Sequence, residues 1–361
     1  MLRTLTLTCC VVLLFALNIL SGPTPLPWSE AVDTLCGGGS ETARFIILDS
    51  RLPAAWTALL SGAALAVGGL VMQTLFRNPL ADPSILGISA GAGLGAAVIL
   101  LTAAGATLLA TASAAMAGAM LAIFLLTAAS AWVRSASALL VVGVMLSCLL
   151  GSITSLLNFF ATDEGVRSFV IWGLGNFSGA YGNRLAVYAA SVMLPFLALP
   201  FAARTLDALL LGDDYARSVG IDVRLHRTLL LLLVGWLTAV TTAVCGPVAF
   251  IGLAVPHAAR RVASTALHRR LIPCTLLLGS ATALACLFVT RLPAMLHISP
   301  SVMPLAAPSV RTSAIQTSLM ALGLSSVETI FELLHSRFLS CEHAHSGLCK
   351  CLKDRKIQAR A

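Results

Sequence analysis

Long apolar runs separated by short polar breaks dominate the chain, over residues 4–21, 52–76, 86–103, 105–131, 137–160, 185–203, 228–247, 249–264 and 271–290. Each approaches the roughly 20 residues that carry a helix across the hydrocarbon layer. Backbone polar groups in lipid must be satisfied within their own segment, so the runs predict helices. The expected fold is all-α, a polytopic transmembrane helical bundle of about nine or ten spans. The run 249–264 is short and contains Pro256 and His257, which predicts a broken helix. Residues 4–21 follow Arg3 and precede Ser21-Gly22-Pro23 rather than a small-residue cleavage site, so they predict an uncleaved first span and not a signal peptide.

Composition agrees with this pattern. Of 361 residues, 58% are hydrophobic and 11% charged, about half the charged share of a soluble domain. The net charge of +8 comes from arginines scattered singly between apolar runs, not gathered in a stripe with aromatics, which argues against nucleic acid. With the amino terminus cytoplasmic, Arg3, Arg77, Arg134, Arg204, Arg217, Arg224, Arg227, Arg260, Arg261, Arg269 and Arg270 fall on the inner side. Arg44, Arg51, Arg167, Arg184 and Arg291 fall outside, so the excess sits where the positive-inside rule requires. The ten cysteines show no disulfide framework; Cys148, Cys245, Cys274 and Cys286 lie in apolar segments and are expected as small core residues.

Missing chemistry narrows the function. None of the fifteen acidic residues falls inside an apolar run, whereas a proton- or sodium-coupled carrier normally needs an ionisable group at membrane depth. The only lysines, Lys350, Lys353 and Lys356, stand in no phosphate-binding loop, so the chain is expected to be a transport subunit and no enzyme. No cofactor is expected on this chain, and energy for uphill transport has to come from a partner. No metal site is expected either: His257 is more readily a packing residue than a ligand, and Cys341, His343, His345, Cys349 and Cys351 near the carboxyl end match no familiar zinc spacing.

Three punctuated stretches stand out. The first, Arg77-Asn78-Pro79-Leu80-Ala81-Asp82-Pro83-Ser84-Ile85-Leu86-Gly87, forces a sharp turn between two spans. In the second, Leu209 to Arg227, Asp213 and Asp214 follow Gly212 as first-turn acids, Arg217 lies at helical spacing from both, and Gly220 ends a short charged helix suited to docking a soluble partner. The third runs from Gly246-Pro247 through Gly252, Pro256 and His257 to Arg260, apolar but broken by glycines and prolines.

In this order and spacing the stretches resemble the FecCD family of ABC importer permeases, over roughly residues 1–291. The resemblance implies ten helices per subunit and a homodimer around a central pathway in the bacterial inner (plasma) membrane. It also implies two ABC ATPase subunits, which use ATP-Mg, and an extracytoplasmic substrate-binding protein. Leu209 to Arg227 then matches the ATPase-coupling region, with Ala216 and Gly220 on its A-x-x-x-G core. Arg51 and Arg291 match arginines that dock the binding protein, although Ala54 stands where many members have a further arginine. The implied cargo is an iron chelate, ferric siderophore or haem, with cobalamin next.

After Arg291 the pattern departs from the family. Leu287 replaces an acidic residue, and residues 292–361 lack the last apolar span with its Gly-Ala-Pro, which suggests a replaced end or a shifted reading frame. Two other readings stay open: a secondary transporter, disfavoured by the missing carboxylates, and a non-transporting membrane scaffold, which would need no coupling helix.

Overall fold

The computed structural model describes residues 2–295, apart from residues 25, 103–106, 134 and 181. Arg134, the segment beyond Met295 and the Cys/His tail therefore lie outside the described residues. Among those described, the chain is helical throughout, with α1 Leu2–Leu20, α2 Trp28–Leu35, α3 Glu41–Arg44 and α4 Leu52–Leu75. There follow α5 Ile88–Thr102, α6 Leu108–Trp132, α7 Ala136–Phe160, α8 Asp163–Gly173 and α9 Asn183–Leu211. The last four are α10 Asp213–Ser218, α11 Val223–Cys245, α12 Ile251–Ala263 and α13 His268–Met295.

Seven of these helical stretches are long and apolar enough to cross a membrane. Helix α5 is shorter, with 15 residues, and α12 has 13, about 20 Å of rise, which cannot span alone. The expected break at Pro256 and His257 is corrected: α12 runs unbroken from Ile251 to Ala263 through both residues, and the interruption lies before it. The break falls where Gly246 (φ 75°) and Phe250 (φ 69°) turn the chain out of α11.

Helix α4 is the axis of the bundle, buried along nearly its whole length and packed by α9, α11, α12 and α13. Small residues permit this. A Cβ at Gly62 would run into the Gly279 carbonyl of α13, and one at Gly279 into the Gly62 carbonyl. Such backbone proximity supplies helix attraction in lipid, where the hydrophobic effect does not. Gly91 and Gly118 make the equivalent contact between α5 and α6. By contrast α7 and α9 expose Phe159, Phe160, Leu194 and Phe201 to the surroundings. Cys148 lies on the exposed side of α7, correcting its expected core position, whereas Cys245, Cys274 and Cys286 are buried.

Two arginines fasten the outer end of α1. A π-helical turn, Phe45–Arg51, leads into α4 and places Arg51 so that its guanidinium donates to the carbonyls of Ile19 (3.1 Å), Leu20 (2.9 Å) and Thr24 (2.6 Å). Arg291 donates to the carbonyls of Asn18 (2.6 Å) and Ser21 (3.4 Å). The last carbonyls of a helix have no partners of their own and carry partial negative charge, so cations satisfy them. Arg51 is 3% and Arg291 7% exposed. Both guanidiniums are thus turned toward the end of α1 inside the subunit and do not stand as free surface charges.

Candidate functional site

The first two punctuated stretches and the later part of the third, from Gly252 to Arg260, lie toward one end of the bundle. Arg3 locates this end in α1, donating to Val262 O (2.9 Å) and Ser264 Oγ (2.7 Å) at the close of α12.

Helix α10 is the exposed feature of this end. Gly212 (φ 124°) breaks the chain sharply away from α9, in a backbone region closed to other residues. Asp213 and Asp214 occupy the first turn, where carboxylates favour the helix dipole. At the other end the N–H of Gly220 meets the Arg217 carbonyl (3.0 Å) and that of Ile221 meets the Ala216 carbonyl (2.9 Å). With φ 83° at Gly220 this is a Schellman cap. Asp222 then caps α11, its side chain accepting from the N–H groups of Arg224 (3.0 Å) and Leu225 (3.2 Å). Ala216 is buried beneath α10, while Asp214, Tyr215, Arg217 and Ser218 face outward.

Asp213 pairs differently from the spacing-based expectation. Its carboxylate accepts from Arg227 of α11 at 2.9 Å and lies 3.7 Å from Arg77, instead of pairing with Arg217. Arg77 follows α4 in the left-handed region (φ 48°), closing that helix as a glycine usually would. The N–H of Asn78 bonds to Gln73 O (3.1 Å), and the Asn78 side chain accepts from the N–H of Leu80 (2.9 Å).

From there the first stretch folds back into the bundle instead of staying at its surface. Pro79 and Leu80 are exposed, but Asp82 is 7% exposed, Pro83 lies against Gly68 of α4, and Gly87 (φ 87°) turns the chain into α5. Gly68 is seven residues before the end of α4, so Asp82 sits about 10 Å inside. Asp82 belongs to this turn and not to an apolar run, yet the turn buries it against α12. Asp82 accepts from the backbone N–H of Ser84 at 3.1 Å and from its hydroxyl. Burial pushes its carboxyl above the usual carboxylate range, against the pull of these two bonds.

Asp82 abuts Gly252 in the first turn of α12, and only a glycine fits there. Pro256 lacks an N–H, which frees the Gly252 carbonyl from its helical bond. That carbonyl lies directly on Gly69, where no Cβ obstructs it. Gly246 and Pro247, by contrast, lie at the far end of the break, near Trp172 and Gly175. His257 is exposed, its Nδ1 3.4 Å from Arg260 Nη1.

Several polar residues at this end carry no motif. Gln73 Nε2 donates to Leu253 O (3.1 Å), and its Oε1 accepts from Arg260 Nη1 (2.6 Å). His268 is buried, with Nδ1 2.7 Å from Asp207 Oδ1 and Nε2 2.8 Å from Thr74 Oγ1. Asp207 lies within α9, which runs eight residues beyond the predicted limit at 203. The ordered series Thr74, His268, Asp207 has the outline of a nucleophile relay. However, Thr74 is 1% exposed and its hydroxyl donates to Leu70 O (3.0 Å), so it serves as a brace.

Known proteins share this architecture. The model of the FecCD transport family matches residues 10–307. The hemin transport system permease protein of Yersinia pestis is 37% identical over 252 residues, 68% of this chain and 73% of its own. The vitamin B12 import system permease protein of Klebsiella pneumoniae subsp. pneumoniae is 34% identical over 70% of this chain and 76% of its own. A solved structure described as a metal-chelate type ABC transporter in an inward-facing conformation superposes with a TM-score of 0.75 at 27% identity, covering 90% of this chain and 97% of that one. With the helical bundle, the interruption before α12 and the charged helix α10, these matches place the chain in the FecCD transport family, as a multi-pass inner-membrane permease.

Proposed function

We propose that this permease forms the path of an ATP-driven importer for a large chelate, haem or ferric siderophore first and cobalamin next. Two separate ABC ATPase subunits drive it, and an extracytoplasmic binding protein feeds it. Two copies of the chain enclose the pathway. ATP-Mg binds to the ATPase partners, and this chain holds no cofactor of its own.

The observation that carries the reading is α10. It is closed at its carboxyl end by a Schellman cap, rooted by Asp213 to Arg227 of α11 and to Arg77 just beyond α4, and presents Tyr215 (48% exposed) and Val219 (53% exposed) between charges outside the bundle. An apolar anchor ringed by charge suits insertion into a cleft of a soluble partner. A secondary carrier or a scaffold has no use for such a segment. Rigid rooting lets a displacement of α10 reach the spans and switch the pathway between outward- and inward-open states.

The test is retention of the ATPase on immobilised permease, comparing the natural chain with Tyr215→Glu and Gly220→Pro. Gly220 at φ 83° cannot be proline, whose φ is fixed near −65°, so the cap of α10 is lost. Both variants should insert normally and lose ATPase retention and cargo-stimulated ATP hydrolysis. Unchanged retention in both would remove the assignment of α10.

A further inference from the structure

The last turn of α4 bears Gln73 and Thr74, Arg77 follows two residues beyond its end, and each of the three is tied to a different part of the bundle. Arg77 faces Asp213 at the start of α10, and Thr74 reaches Asp207 through His268, five residues before Gly212. Both sides of the root of α10 are therefore held to the end of α4 and to Arg77 just beyond it. Gln73 points to α12 instead. It is 3% exposed, and its amide donates to the Leu253 carbonyl in the first turn of α12 while accepting from Arg260 in the last. One turn earlier, Gly69 receives the carbonyl that Pro256 leaves free at Gly252.

We propose that Gln73 is a positioning residue that makes α12 move together with α4 and α10, so that displacement of the coupling helix reaches α12 through this one amide. The inference rests on the function proposed above and names the joint within it. An uncharged amide suits the task because it donates and accepts at once, whereas an apolar side chain there leaves a buried carbonyl and a guanidinium without that partner. Gly69 and Gly252 set the two helices in contact but do not fix their relative slide, since a backbone contact without a directional bond resists sliding weakly. Gln73 supplies the direction.

The test uses the assembled complex of permease, ATPase and binding protein in liposomes, with hemin and cobalamin as cargo probes, and reads uptake and ATP hydrolysis separately. Gln73→Met should leave ATPase retention intact and hydrolysis within about twofold, while uptake per ATP falls about tenfold, as expected for losing two part-buried hydrogen bonds, one of them to a charged group. Arg260→Met removes one of them and should lower uptake per ATP about threefold. A merely structural role would reduce hydrolysis and uptake together. Unchanged uptake per ATP in Gln73→Met overturns the joint, and if that variant does not assemble, an unchanged ratio in Arg260→Met overturns it. Absence of ATP-dependent uptake of both probes by the natural complex, with no ATPase retained, instead overturns the proposed function and the joint with it.

Discussion

Replacing Asp213 by alanine tests how α10 is held. The carboxylate makes two unequal contacts. Arg227 is 2.9 Å away with its side chain 8% exposed, whereas Arg77 is 3.7 Å away and 46% exposed. A charge-assisted hydrogen bond to a largely buried guanidinium contributes about 2 kcal/mol, and an exposed ion pair less than about 1 kcal/mol. A first-turn carboxylate adds about 0.5 kcal/mol against the helix dipole. Asp213→Ala should therefore cost about 3 kcal/mol locally, roughly a hundredfold in the opening equilibrium of α10. Hydrogen exchange followed by mass spectrometry on peptides covering 213–222 reads this directly, since the N–H groups of Ala216, Gly220 and Ile221 are protected only while α10 is formed. Arg77→Ala should accelerate the same amides less than about fivefold. Equal effects of the two variants, or none from Asp213→Ala, would refute the argument that the Arg227 contact dominates.

Other consequences follow from close packing and from α1. Gly69→Ala drives a methyl into the Gly252 carbonyl and should cost about 1–3 kcal/mol, seen as a lower melting temperature in detergent, while Gly93→Ala, with open space around it, should be neutral. Arg51→Met and Arg291→Met each free carbonyls at the end of α1 and should destabilise the subunit by about 1–3 kcal/mol. If these arginines were instead docking groups, the variants would weaken capture of the binding protein with no change in melting temperature.

The parts of this structure most legible in the sequence are those whose cause is local. An apolar run of sufficient length has one solution in lipid, so helix existence followed directly, with limits off by a few residues at most ends. The short helix α10 was readable because its glycines, acids and cap all lie within Gly212 to Asp222. The break before α12 was readable from Gly246 and Pro247, whereas Pro256 lies inside an unbroken α12, where its missing N–H is tolerated because Gly69 leaves room for the freed Gly252 carbonyl. Contacts made across the bundle left no local mark. Gln73 meets Arg260, and Thr74 meets His268, across 187 and 194 positions of sequence. Arg51 and Arg291 looked like surface charges because their acceptors are carbonyls at the end of α1, which every residue type possesses. The burial of Asp82 leaves no mark in Asn78-Pro79-Leu80-Ala81, which shows only a turn; Gly68, which makes room for Pro83, and Gly252, which makes room for Asp82, belong to other helices.

The account depends on an external ATPase pushing on α10. Uptake of hemin and cobalamin into liposomes containing the permease and its binding protein, with and without the ATPase subunit and ATP, tests this directly. Uptake should vanish when the ATPase is omitted and return when it is added with ATP; undiminished uptake in its absence would contradict the account.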